Sequence, residues 1–137
     1  MRRFMILVLV LSMLAAGAGA LADHGEADIP FEEEIFHVTL MRIKANEDSV
    51  WVTIDGFTKG SLIGKHVWDQ KEVVQLKLVY GDEEVYANTT IDYKDERGRA
   101  EFGASTDRGM PDAIRLYPYE SDEYVVIWEA GDPVPAE

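Results

Sequence analysis

From residue 35 onward, apolar and polar positions alternate along most of this chain with a period of two. Residues 35–43 (IFHVTLMRI) put Phe36, Val38 and Leu40 on one face and His37, Thr39 and Met41 on the other, the pattern of a strand with one buried side. Residues 50–57 repeat it, with Val50, Val52 and Ile54 opposite Trp51, Thr53 and Asp55. Residues 72–80 turn Val74, Leu76, Leu78 and Tyr80 inward, and Gly81-Asp82 then suits a tight primed turn into another alternating run, residues 85–93. A charged turn over 94–98 leads into 99–104, where Ala100 and Phe102 face inward, and 112–117 and 123–129 add two more strands. Residues 58–71 hold Gly60 and Gly64 without a sustained period and read as a long connection with a short strand near His66 to Trp68. No amphipathic helix is predicted after residue 22. The expectation is an all-β fold, an antiparallel two-sheet sandwich of about seven or eight strands.

The ends of the chain read differently. A basic start (Arg2, Arg3), an apolar run from Phe4 to Leu14 and the small-residue stretch Ala18-Gly19-Ala20-Leu21-Ala22 have the order of a cleaved secretory signal over residues 1–22. Export to a secreted, periplasmic or cell-surface location follows, with no stable membrane insertion after cleavage. Residues 23–34 are acidic and read as an extended arm, 35–130 as the sandwich, and 131–137 as a carboxy-terminal tail. Cleavage removes two arginines and no acids, leaving 11 basic against 26 acidic residues, a formal charge of −15. Such a charge repels nucleic acid. The chain has no cysteine, which excludes disulfides, thiolate nucleophiles and cysteine metal sites.

The segment Gly98-Arg99-Ala100-Glu101-Phe102, after its charged turn, resembles a recurring feature of the immunoglobulin-like and transthyretin-like sandwiches of exported proteins. The resemblance spans residues 73–104 and implies a fold class without an activity. Residues 87–93 (ANTTIDY) lack the Pro and Gly that shape the N-P-T-T-G-Y loop of chagasin-type protease inhibitors.

Candidate chemistry is sparse. No serine lies in a G-x-S-x-G setting, and a non-catalytic protein without a cofactor is expected. Trp51, Tyr86, Tyr117 and Tyr119 fall on the strand phase opposite the core, and Trp68 lies in the long connection. Outward aromatics on a sheet supply contact area for a protein or glycan partner. Two cation readings stand beside this one. A new amino terminus near His24 could chelate Cu(II) if cleavage left the imidazole third, and the acidic turn with Asp92, Asp95 and Glu96 could offer oxygens to Ca²⁺. Asn88-Thr89-Thr90 is also an N-glycosylation sequon.

Overall fold

A computed structural model describes residues 24–31, 33–57, 73–93 and 98–135. Among these residues the chain forms nine strands: β1 (Glu26–Phe31), β2 (Glu34–Ala45), β3 (Ser49–Asp55), β4 (Val74–Tyr80), β5 (Glu83–Tyr86), β6 (Thr89–Asp92), β7 (Ala100–Ser105), β8 (Ala113–Pro118) and β9 (Val125–Glu129). All pairings are antiparallel. They build a five-stranded sheet, β1-β2-β3-β7-β6, and a four-stranded sheet, β5-β4-β8-β9. The order β2-β3-β7-β6 facing β5-β4-β8-β9 is the A-B-E-D and C′-C-F-G arrangement of immunoglobulin-like sandwiches, with β1 added outside the first strand.

The inner faces carry the predicted alternation. Val38, Val52, Ile54, Leu76, Leu78, Ile114 and Leu116 are fully buried, and Phe102 nearly so. No disulfide pins the sheets together; interdigitated aliphatic side chains do, each contributing roughly 1.5–3 kcal/mol on full burial. Trp128, near the end of β9, joins this core and donates its indole N–H to the Pro133 carbonyl at 3.2 Å.

The strand pattern departs from the sequence expectation at three places. Residues 26–31, read as part of an arm, are an edge strand whose Ala27, Ile29 and Phe31 alternate into the core. The run 85–93, read as one strand, is two: Ala87 and Asn88 carry the chain from β5 in one sheet to β6 in the other. A period of two continues across such a crossover, so alternation alone conceals it. Third, Leu40 pairs with Ile54 and Arg42 with Thr53, making Met41 the extra residue of a bulge in β2. The bulge exchanges the faces that follow it, sending Arg42 outward and Ile43 inward.

The Gly81-Asp82 hairpin forms as expected, with Tyr80 paired to Glu83. At the carboxy-terminal side, Asp132 and Pro133 are tied to the domain by bonds to His24 and Trp128. The connection over 58–71, including the short strand expected near His66 to Trp68, lies outside the described residues.

Candidate functional site

The outer face of the four-stranded sheet brings together a set of polar and aromatic side chains. The hairpin register places Tyr86 directly opposite Lys77, which in turn faces Arg115 on β8. One row along, Gln75 faces Tyr117, and Tyr124, just before β9, packs against Tyr117 at a ring-centroid distance of 5.4 Å. Glu84 on the edge strand β5 lies at the centre of the polar contacts. It accepts a hydrogen bond from Arg115 Nη1 at 2.6 Å and another from the Tyr117 hydroxyl, with Lys77 Nζ 3.8 Å away. Lys77 sits 4.3 Å from the centre of the Tyr117 ring, and the Arg115 guanidinium 4.2 Å from that of Tyr124. Cations placed over ring faces in this way add an attraction of about 0.5–1 kcal/mol at an exposed site.

The result is a patch of mutually bonded side chains. The Tyr117 hydroxyl holds the Glu84 carboxyl below the ordinary value of 4.5, with Arg115 and Lys77 adding to the effect against the cost of burial. Burial, then the neighbouring Glu84 charge, pushes the Tyr117 phenol up, so at neutral pH the carboxylate accepts and the phenol donates. At the two sides of the patch Tyr86 is 38% exposed and Tyr124 44%.

The outer face of the five-stranded sheet is built for structure. Glu101 accepts hydrogen bonds from Arg42 at 3.0 Å, from Thr53 at 3.3 Å and from the Tyr93 hydroxyl at 2.8 Å. Arg42 reaches it only because of the β2 bulge. Beside this network Arg99 lies 3.5 Å from Asp55. Trp51 lies over Gly103, its register partner, so closely that the glycine has room for no side chain.

The expected aromatic residues therefore do not form one platform. Tyr86 and Tyr117 share the outer face of the four-stranded sheet, and Trp51 is on the outer face of the other sheet. Tyr119 is a correction: the strand ends at Pro118, the chain turns, and the ring packs edge-on against Phe31 at 5.6 Å, beside the core. Trp68 lies outside the described residues. Lys77, Glu84, Arg115 and Tyr124 were not singled out from the sequence. Lys77 and Glu84 follow from extending the Gly81-Asp82 hairpin register outward, Arg115 comes beside them only through the pairing of β4 with β8, and Tyr124 shares the strand phase of Val126.

Of the expected metal residues, His24 is described with its side chain 10% exposed and Nδ1 2.6 Å from Asp132 Oδ2. Nδ1 is the ring nitrogen that a main-chain chelate would need, because Nε2 lies too far from the backbone amides. In this conformation Asp132 occupies it. Asp92 lies on β6 opposite Ala100, while Asp95 and Glu96 are outside the described residues. Among the described residues no group of three or more His, Asp or Glu side chains is arranged to hold a metal ion. Asn88 is exposed in the β5–β6 connection. No family model matches the sequence, and comparison with curated proteins and with solved structures found no match.

Proposed function

We propose that this chain is an exported, non-catalytic binding module that engages a protein or glycan partner through the outer face of its four-stranded sheet. The observation carrying this reading is the pair of half-exposed rings, Tyr86 and Tyr124, flanking a polar cluster already fixed in place by Glu84. Preorganised side chains lose little entropy on binding, and tyrosine and arginine are the residue types that dominate contact energies. Non-catalysis is supported by the sequence, in which no serine lies in a G-x-S-x-G setting and no cysteine is present as a nucleophile. Export is supported by the residue pattern of 1–22.

Two measurements test the proposal. Cell fractionation with mass spectrometry should find the chain outside the cytoplasm with an amino terminus at residue 23 or within two residues of it; a chain confined to the cytoplasm with residues 1–22 retained would refute export. Screening the secreted protein against glycan and cell-surface protein arrays should give a binding signal that a Tyr86→Ala/Tyr124→Ala double variant loses while keeping its melting midpoint. A signal untouched by both substitutions would place binding elsewhere.

A further inference from the structure

We propose, building on the binding-module reading, that the occupant of this face is an uncharged linear oligosaccharide lying across the strands, stacked at its ends on Tyr86 and Tyr124. Size is the first reason. From β5 to β9 the face spans three inter-strand spacings, about 14 Å, and the short strands limit its other dimension to roughly 17 Å. That is an area of about 250 Å², against roughly 800 Å² per partner in a standard protein interface. A protein would need most of its contact area elsewhere, whereas a short sugar chain would be fully accommodated.

Charge is the second reason. The chain carries a formal charge of −13, yet on this face Lys77 and Arg115 are balanced by Glu84 and by Glu129, which lies opposite Ala113. An anionic ligand is repelled by the molecule as a whole without a net attraction here, and a cationic one is drawn to the more acidic surfaces. A neutral ligand rich in hydroxyls matches a balanced surface of donors and acceptors.

The arrangement of groups is the third. Lys77 already covers a face of the central Tyr117 ring, so the middle of the patch presents hydrogen-bonding groups, while Tyr124, with Arg115 over one face, keeps 44% of its surface exposed. Tyr86 and Tyr124, both exposed, stand at its two sides. Sugar rings stack on the outer tyrosines, and hydroxyls between them meet Lys77, Glu84 and Arg115.

Calorimetric titration of the secreted protein with neutral β-glucan, mannan and xylan oligosaccharides, alongside an oligogalacturonate and an oligoglutamate peptide, tests this directly. At least one neutral oligosaccharide should bind, with an affinity nearly unchanged between about 50 mM and about 500 mM NaCl. Tyr86→Ala and Tyr124→Ala should each weaken it about three- to tenfold, while Tyr86→Phe and Tyr124→Phe, which keep the ring, should retain most of it. Binding of only the oligogalacturonate or the oligoglutamate, weakened by salt and by Lys77→Gln, would overturn the neutral-glycan inference and leave the binding face standing. So would a neutral sugar that needs one tyrosine and not the other, since it would not lie across the strands. If nothing in the series binds, or binding ignores both tyrosines, the inference and the reading beneath it fall together.

Discussion

A methyl group on Gly98 would stand 1.2 Å from the Phe57 carbonyl oxygen, and the residue has a φ of 69°, a region that favours glycine. Without a side chain, Gly98 can accept a hydrogen bond from the Phe57 N–H at 3.1 Å. This gives the Gly98-Arg99-Ala100-Glu101-Phe102 segment a physical basis. Gly98 seats the chain against the end of β3, Arg99 turns out toward Asp55, and Ala100 and Phe102 turn into the core. Gly98→Ala should cost about 3 kcal/mol or more, measured by urea unfolding, because backbone must separate. Gly103 is the milder case. Its missing Cβ would meet the Trp51 ring at 2.5 Å, and a side chain can swing away where backbone cannot. Gly103→Ala should cost about 1–3 kcal/mol and shift the Trp51 indole resonance. In a Trp51→Ala background most of that penalty should vanish, since the two residues share one contact. A full penalty in that background would show that the strain lies in the backbone.

At the scale of elements, β1 is the addition to the immunoglobulin-like order, and two of the three histidines hold it. His24, just before it, reaches Asp132; His37, its neighbour on β2, is bracketed by Asp28 at 2.8 Å and Glu26 at 2.9 Å. The His37 pKa is raised above 6.5, first by the hydrogen bond to Asp28 and then, against desolvation, by Glu26. A histidine with a raised folded-state pKa contributes its full stabilisation below the unfolded value, near 6.5, and loses it as pH rises through the higher folded value. With the ring 60% exposed, the contribution is about 0.2–0.5 kcal/mol. Hydrogen exchange at β1 amides, corrected for intrinsic rates, should therefore accelerate above neutral pH in the native protein, and His37→Gln should flatten that dependence. An unchanged profile would mean that the Ala27, Ile29 and Phe31 packing alone holds the strand. Elements with one steady alternation and a clear turn, such as β4 and β5, were legible in the sequence. β1 was not, because six acidic residues over positions 23–34 obscure three periodic contacts. The β2 bulge and the β5–β6 crossover were hidden because each depends on partners supplied by distant strands. The site was half legible: the outward phase of Tyr86 and Tyr117 follows from alternation, whereas Glu84 reaching over β4 to Arg115 requires the sheet order.

For the whole molecule, two electrostatic effects of different range compete. A formal charge of −13, or −15 once residues 1–22 are removed, repels itself across a small domain. That repulsion weakens with salt and as carboxylates begin to protonate. Short-range contacts act in the other direction at low pH, because Glu84 must stay ionised to accept from Tyr117 and Arg115. Its pKa is lowered from 4.5, so its stabilising contribution is present above that value and is lost as pH falls through the lower folded value. His37 adds to the trend from the alkaline side, gaining charge and stability as pH drops toward 6.5. The melting midpoint should thus climb as pH falls from about 8 to about 5, then drop steeply below about 4, where native carboxylate bonds must be broken. At pH 8, raising NaCl from about 10 mM to about 300 mM should raise the midpoint, since the Debye length falls from roughly 30 Å to well under 10 Å and self-repulsion is screened. Glu84→Gln separates the two effects. It removes one negative charge, so the salt response should shrink only slightly, but it deletes the charged acceptor, so the midpoint near pH 5 should fall by the equivalent of about 1 kcal/mol. The acid limb should also become shallower. A variant that melts higher than the parent across the whole range would show that relief of net charge outweighs the Glu84 contacts, and that the face is held by its aromatic packing instead.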